Sequence, residues 1–291
     1  MLVSRARSFL FLPADRLDRL SKALGSGAHI VIVDLEDGVG ANAKTAARTA
    51  LADAHGALSP ADGSRVAVRI NGFGTEWHEA DIALLRSLAR TGLAAAMVPK
   101  AESVSQLREL GEALGVPLLP IIESAEGLAA LELIARAPGV SRLAFGHLDF
   151  QADLAMHCGP DERELDSVRL AFVLASRRAG LAAPIDGVTQ ALHDDARLVA
   201  DAERSRRFGF GGKLCIHPRQ VVAVNAALGP AASEVEWANR LLAASAAAGP
   251  GQGAFAFEGT MADAPVLQRA RQILEEITPL PRCAGTASTA A

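Results

Sequence analysis

The chain has 291 residues, half of them hydrophobic, and carries a net charge of −4 at pH 7 with a pI near 6.0. This length suits one large α/β domain or two ordinary ones. The mildly acidic balance excludes the basic surface by which proteins attract nucleic acid or anionic lipid, so we expect neither as a partner.

Short apolar runs rich in β-branched residues alternate along the chain with stretches rich in Ala, Leu and Arg. We predict eight strands, at residues 8–13, 29–37, 65–71, 95–100, 117–123, 142–149, 183–188 and 213–218. The stretches between them repeat apolar residues at spacings of three and four, as amphipathic helices do. Eight strand–helix units in about 220 residues favour an α/β fold, a (β/α)8 TIM barrel, at residues 1–222. A doubly wound sheet is the rival fold, but the glycine fingerprint expected after its first strand is missing.

The pattern changes after the eighth predicted strand. Residues 220–228 and 233–248 have helical periodicity, a glycine-rich segment follows at 249–259, and a final helix is predicted at 264–278. We therefore predict a C-terminal helical extension over residues 223–280, with a mobile loop at 249–259. Residues 281–291 show no pattern and are predicted to be a disordered tail.

Three cysteines, Cys158, Cys215 and Cys283, are scattered without the spacing of metal ligands. Isolated cysteines in an odd number are typical of free thiols in a reducing compartment. No apolar stretch approaches the roughly 20 residues that cross a bilayer. The apolar run near the N-terminus also lacks the small-residue cleavage site of a signal peptide. The sequence therefore predicts a cytoplasmic protein without a membrane segment.

Polar side chains gather at the ends of the predicted strands, which in such a barrel face the active site. They are Asp34, Glu36, Asp37, Arg69, Asn71, Lys100, Glu123, Asp149 and His217. So many acids would repel one another without a cation, and Mg²⁺ suits few carboxylates because it keeps positions for water and substrate. Glu123 and Asp149 are the best candidate ligands, because each closes an otherwise apolar strand. The structural alternative is that Glu123 caps the following helix and Asp149 pairs with an arginine.

Eight segments occur in an order that resembles a known family. They are RSFLFLP, DLEDGV, VRING, VPKAES, IIESAEG, FGHLDF, GFGGKLCIHPRQ and GTMADAP. Over residues 7–274 they resemble the citrate lyase beta-subunit-like and malyl-CoA lyase family, Mg²⁺-dependent acyl-CoA lyases on TIM barrels of the phosphoenolpyruvate/pyruvate type. The resemblance implies an enzyme that cleaves or forms a 3-hydroxy-3-carboxyacyl-CoA such as malyl-, citramalyl- or citryl-CoA. Its small-molecule partners would be a 2-keto acid and an acyl-CoA thioester.

The resemblance also implies roles for residues around the metal. Glu123 and Asp149 would ligate Mg²⁺, and Glu123 would line the substrate site as well. Arg69 would take part in catalysis by holding a substrate carboxylate, for which its planar fork is suited. Glu36 and Asp37 would orient Arg69, and water at the metal, from behind.

Three further implications concern the substrate and the assembly. The backbone N–H groups that would hold the other keto-acid oxygens belong to Gly146, His147, Leu148 and Asp149. Asp263, in the segment TMADAP, would act as a catalytic acid over the site of a neighbouring subunit, which implies a homotrimer or a dimer of trimers. Arg16 and Lys22 are weaker candidates to meet the CoA phosphates, and a solvated helix face is an equal alternative for them. The family's first strand ends in Pro-Gly where this chain has Pro13 and Ala14, close to the expected thioester entrance.

Three alternatives stay open. A metal-dependent aldolase of free hydroxy-keto acids would use the same barrel and metal, although those enzymes lack an extension such as the one that carries Asp263. Lys100 could form a Schiff base at a strand end, although nearby acids would keep it protonated. The chain could also be a partner subunit that is active only within a complex, as the citrate lyase beta chain is.

Overall fold

The computed structural model of the protein describes residues 2–248 and 253–277. Its main strands are β1 (Ser8–Pro13), β2 (Ile30–Asp34), β3 (Val66–Arg69), β4 (Ala95–Val98), β5 (Leu118–Ile122), β6 (Ala144–Phe145), β7 (Ile185–Asp186) and β8 (Gly212–Cys215). All pair in parallel with the next strand in the chain, and β8 pairs with β1, so the sheet closes. The predicted (β/α)8 TIM barrel is confirmed.

Helices lie between the strands and cover the outside of the barrel. They are α1 (Leu2–Arg5), α2 (Leu20–Gly25), α3 (Lys44–Gly56), α4 (Pro60–Gly63), α5 (His78–Ala89), α6 (Val104–Leu114), α7 (Ala125–Ala129), α8 (Leu131–Ala135), α9 (His147–Asp153), α10 (Asp166–Arg178), α11 (Asp195–Phe208) and α12 (Gln220–Ala227). Helix α6 shows how the sequence sets such boundaries. The Ser103 side chain accepts the Gln106 N–H at its start, and Gly115 closes it at a left-handed φ of +65°.

Two apolar layers follow from the alternation of side chains along each strand. One face of the strands packs against the helices, for example through Val31, Val33, Val66 and Val68. The other face fills the barrel interior with Phe9, Ile30, Ile32, Ala67, Met97, Leu119 and Ile121. The barrel is therefore a packed core, and chemistry is confined to its rim.

Strand β6 is much shorter than the predicted strand at residues 142–149. It ends at Phe145, and after Gly146 the chain enters α9 at His147. Asp149 consequently lies in the first turn of a helix, whereas the sequence pattern predicted that it closes a strand. The sequence FGHLDF does not distinguish the two structures, because a short helix with one buried face and a buried strand have similar composition.

Arg142 closes the opposite end of the barrel, where the strands begin. Its fully buried guanidinium donates to the carbonyl oxygens of Val3, Ala6, Ala183 and Pro184. Burial lowers the pKa of Arg142 to about 9. These four acceptors tie the N-terminal segment to the approach to β7, so the residue predicted to open strand six instead fixes the floor of the barrel.

The chain divides into two compact units, of which the first ends at Leu228. This boundary lies beyond the predicted one after residue 222, because α12 packs against α11, β1 and β8. The second unit contains α13 (Ala232–Ala248), a hairpin of β9 (Phe255–Phe257) and β10 (Thr260–Ala262), and α14 (Ala264–Ile277).

The second unit has its own small core, formed by Ala238, Leu241, Ala262, Ala270 and Ile273. Its helices match the prediction, whereas β9 falls inside the segment predicted to be a mobile loop at 249–259. Residues 249–252 of that segment and the predicted tail at 281–291 lie outside the described residues. Within the described part of the chain, no helix is both long and apolar enough to span a membrane.

Candidate active site

The candidate site forms where the inward-facing positions of three strands turn from apolar to polar. Beyond Ile32, Ala67 and Ile121, which fill the barrel, the next inward positions are Asp34, Arg69 and Glu123. All three lie at the carboxyl ends of their strands, the end at which barrel enzymes bind their substrates.

Asp34 fixes the orientation of Arg69. The two residues are paired across β2 and β3, and Arg69 Nε and Nη2 each donate to one oxygen of Asp34 at 2.7 Å. Asp34 also accepts the N–H groups of Glu36 and Gly38 at 2.9 and 2.8 Å. The guanidinium lies 4.9 Å from the ring centroid of Phe11, a favourable cation–π contact. Charge-assisted bidentate pairing of this kind locks the plane of the arginine.

Glu36 and Asp37, which the resemblance placed behind Arg69, contact it less directly. Glu36 Oε2 lies 2.9 Å from Arg69 Nη1 but makes no aligned hydrogen bond within the described part of the chain. Asp37 is 3.7 Å away, and its side chain is 72% exposed. The pKa of Glu36 is raised to about 8, first by burial and also by the charges of neighbouring acids, against the lowering effect of Arg69.

Glu123 is a nearly buried carboxyl group that follows β5. Its Oε1 accepts the Lys100 N–H at 2.7 Å, and its side chain lies against the backbone of Gly146, where an added Cβ would be 2.5 Å from Oε2. The pKa of Glu123 is raised to about 7, first by burial and also by the negative charge of Asp149, against the lowering effect of the Lys100 N–H. The structure thus brings the two predicted metal ligands within electrostatic reach of each other.

The turn into α9 supplies fewer free donors than predicted. The Gly146 N–H donates to the carbonyl of Ile122 at 3.0 Å and is therefore not available to a substrate. His147, Leu148 and Asp149 form the first turn of α9, where N–H groups have no intrahelical acceptor. The Asp149 side chain is exposed at the barrel mouth, whereas His147 is buried.

This donor set fits Mg²⁺. The negative charge of Asp149 raises the pKa of Glu123, and a cation between the two carboxyl groups would relieve that repulsion. Among the described residues, no three His, Cys, Asp or Glu side chains are grouped to hold a metal ion by themselves. Mg²⁺ requires no such cage, because it is bound through one or two carboxylates and completes its shell with water and substrate.

Two polar neighbours support the site from behind; the sequence placed Asn71 at a strand end but did not identify Lys44. Lys44 is buried and donates to the carbonyls of Leu35 and Glu36 at 2.7 and 2.8 Å. Asn71, at the end of β3, also donates to Leu35 O, at 3.0 Å. Both hold the main chain that presents Glu36. The scarcity of lysine was the available signal, since Lys44 is one of only four in the chain.

Asp263 lies in the second unit, between β10 and α14. Its Oδ1 accepts the N–H of Val266 at 3.3 Å, which caps the helix. Its predicted action over a neighbouring subunit stays a prediction.

The remaining candidates lie on the surface. Arg16 is exposed in the 3-10 turn after β1, with Asp18 3.7 Å away, and Lys22 is exposed on α2. His217 and Lys100 are exposed as well. An exposed Lys100 is not the desolvated amine that a Schiff-base mechanism uses.

Comparison with known proteins gives concordant matches. The family model for HpcH/HpaI aldolase/citrate lyase matches residues 7–218. A citrate lyase subunit beta-like protein of Deinococcus radiodurans is 37% identical over 277 residues, covering 92% of this chain and 96% of that protein. A (3S)-malyl-CoA thioesterase of Cereibacter sphaeroides is 35% identical over 272 residues, covering 92% of this chain and 93% of that protein.

Solved structures give the same result. The CitE protein of Mycobacterium tuberculosis, in complex with magnesium, acetoacetate and coenzyme A, matches with a TM-score of 0.80 and 36% identity. The match covers 94% of this chain and 98% of that one.

Proposed function

The chain belongs to the HpcH/HpaI aldolase/citrate lyase family and is a lyase, and from this premise we propose that it is a Mg²⁺-dependent carbon–carbon lyase of acyl-CoA thioesters. Its substrate is a 3-hydroxy-3-carboxyacyl-CoA such as malyl-, citramalyl- or citryl-CoA, which it cleaves to, or forms from, a 2-keto acid and an acyl-CoA. The observation that carries the proposal is the position of Glu123 at the barrel mouth, within electrostatic reach of both Asp149 and the Asp34-locked Arg69.

Glu123 and Asp149 hold the metal in this proposal. Bound there, Mg²⁺ supplies a Lewis acid that makes the substrate hydroxyl more acidic and polarises the keto oxygen. Support comes from the effect of the Asp149 charge on the pKa of Glu123 and from the magnesium in the related CitE structure.

Arg69 binds the carboxylate next to the reacting carbon. Asp34 uses Nε and one proton of Nη2, and Glu36 Oε2 lies 2.9 Å from Nη1. The second protons of Nη1 and Nη2 are the donors left for a substrate carboxylate. Because the guanidinium is already fixed, the substrate is oriented without ordering a flexible side chain, which favours reaction.

The reaction is a retro-Claisen cleavage. The substrate hydroxyl passes its proton to water, its C–O bond becomes the keto C=O, and the electron pair of the broken C–C bond passes to the α-carbon of the thioester. The resulting enolate takes up a proton at carbon, for which Asp263 of another copy is the donor; in the condensation direction the same carboxylate removes that proton. The thioester matters because its α-proton is more acidic than that of a free carboxylate.

Arg16 and Lys22, exposed after β1, meet the CoA phosphates.

The purified chain tests the proposal directly. We expect Mg²⁺-dependent loss or gain of acyl-CoA thioester with a panel of short acyl-CoAs and glyoxylate or pyruvate. Glu123→Gln and Asp149→Asn should each reduce turnover about a thousandfold, since the metal supplies several kcal/mol. Glu126→Gln is the matched control, because Glu126 is exposed on α7 close to Glu123. Near-normal turnover in both site variants would contradict the metal assignment.

The same assay addresses the assembly. A chain that is inert alone but active with added proteins would show a partner subunit, whereas activity of the chain alone with a trimeric mass supports the shared site. Asp263→Asn should then abolish turnover while metal binding persists.

A second candidate activity is hydrolysis of the thioester, favoured by the 35% identity to a (3S)-malyl-CoA thioesterase. The products separate the two: the lyase converts malyl-CoA to glyoxylate and acetyl-CoA, whereas hydrolysis gives malate and free CoA.

A further inference from the structure

The structure assigns to Glu162 a role in positioning: through His147, it holds the first turn of α9 and thereby Asp149 at the metal site. This inference rests on the proposed function, because Asp149 matters there as a magnesium ligand. Glu162 lies in the connection between α9 and α10, C-terminal to the helix that carries Asp149.

The imidazole of His147 is wedged between two groups. On one side, its Nε2 lies 3.4 Å from Glu162 Oε1. On the other, its Nδ1 lies over the bare backbone of Gly187, where an added Cβ would be 2.0 Å from the nitrogen. A side chain with contacts this close on both sides has one position. His147 and Asp149 share the first turn of α9, so the position of one determines that of the other.

Glu162 is itself held by arginines from two helices. Arg169 on α10 and Arg204 on α11 both donate to Glu162 Oε2, at 2.5 and 2.9 Å. Arg169 also donates to the Glu162 carbonyl at 3.2 Å. The residue has a left-handed backbone with φ of +50°, a conformation that persists in a non-glycine residue when surrounding contacts impose it. The carboxylate is therefore a fixed point against which His147 rests.

The arrangement parallels a general feature of metal sites, in which groups behind the ligands set ligand orientation and metal affinity. The chain uses two outer helices, α10 and α11, to fix a turn at the barrel mouth. The contacts of these arginines with Glu162 act on the turn through His147.

The test is metal binding, measured with Mn²⁺ alone by electron paramagnetic resonance in place of Mg²⁺. We expect Glu162→Gln to weaken Mn²⁺ binding about ten- to hundredfold and to raise the Mg²⁺ concentration needed for half-maximal turnover, while turnover at saturating Mg²⁺ recovers. Recovery at saturating metal separates positioning from a loss of folded protein. Glu164→Gln is the matched control, because Glu164 is exposed on the same connection and contacts the Gly159 N–H. It should bind Mn²⁺ as the parent does.

Gly187→Ala provides an independent variant that displaces His147 from the opposite side and leaves the arginine contacts of Glu162 intact. It should weaken Mn²⁺ binding in the same way. If Glu162→Gln does not fold, this variant alone tests whether the position of His147 sets the metal affinity. Unchanged Mn²⁺ affinity in a folded Glu162→Gln or Gly187→Ala variant overturns the inference. If the parent chain binds no Mn²⁺, or binds it equally well as Glu123→Gln, the proposed function fails instead, so the two failures are distinguishable.

Discussion

Arg69 can present one edge to a substrate because Asp34 occupies the other. Two hydrogen bonds of 2.7 Å and the contact with Phe11 leave the guanidinium little freedom. Asp34 in turn is held by two backbone N–H groups of the loop that follows β2. Orientation of the arginine is therefore built into the strand pair and does not depend on the arrival of substrate.

Asp34→Asn should test this at the level of a single side chain. The variant keeps one acceptor for Arg69 but loses the charge-assisted pair, worth about 2 kcal/mol, so kcat/KM should fall about thirtyfold. Steady-state kinetics at saturating Mg²⁺ measure the change. Asp37→Asn is the control, since Asp37 is exposed and 3.7 Å from Arg69, and its effect should be small. Equal losses in the two variants would show that Arg69 is not oriented by Asp34.

The sequence was sufficient to place Asp34, Arg69 and Glu123 at strand ends, because apolar strands that terminate in charge are visible in a single chain. It could not show which acid pairs with Arg69. That choice depends on the register between β2 and β3, which sets Asp34 directly opposite Arg69, and register is a property of the folded sheet.

At the scale of elements, the turn from β6 into α9 is where a close approach determines the site. Gly146 lies so near Glu123 that a Cβ would be 2.5 Å from its Oε2 and 2.6 Å from its Cβ. The absence of a side chain at this position lets α9 begin beside the carboxylate and brings Asp149 to it. A strand at 142–149, as the composition suggested, would not produce this juxtaposition.

Gly146→Ala should therefore disturb Glu123 without altering any charged group. We expect Mn²⁺ affinity to fall at least about tenfold and the free energy of unfolding to fall by about 1–3 kcal/mol from overpacking. Titration with Mn²⁺ and urea unfolding measure the two effects. Gly72→Ala is the matched control, because a Cβ there has no atom within 4 Å. Wild-type Mn²⁺ affinity in Gly146→Ala would refute the close approach.

The length and composition of each strand and helix explain which of them could be predicted from the sequence. Long periodic helices such as α11 and the buried strands β2 and β5 have clear signals in the sequence. Strands β6 and β7 have two residues each, too few for alternation to register, and β9 lies in a segment rich in glycine. Barrel closure supplies what the sequences of β6 and β7 lack, since each of these two strands is paired on both sides.

At the scale of the whole molecule, folding gathers acidic groups at the barrel mouth and makes their ionisation costly. The pKa of Glu36 is raised to about 8 and that of Glu123 to about 7, in both cases first by burial. A carboxyl group with a raised pKa binds its proton more tightly in the folded state than in the unfolded state. Its contribution to stability is present at low pH and is lost as pH rises towards the folded pKa.

The free energy of unfolding of the metal-free protein should consequently fall by about 2 kcal/mol between pH 6.5 and 8. The window begins at 6.5 because His29, whose pKa burial lowers to about 4, opposes the trend at lower pH: it must gain a proton on unfolding there. Urea unfolding at several pH values, with chelator and then with Mg²⁺, measures the slope. Glu36→Gln should flatten it, and Mg²⁺ should stabilise the protein more at pH 8 than at pH 6.5, because metal and proton compete for Glu123. Parallel profiles for the parent and Glu36→Gln, or a free energy that rises across this window, would show that the acids at the mouth ionise freely.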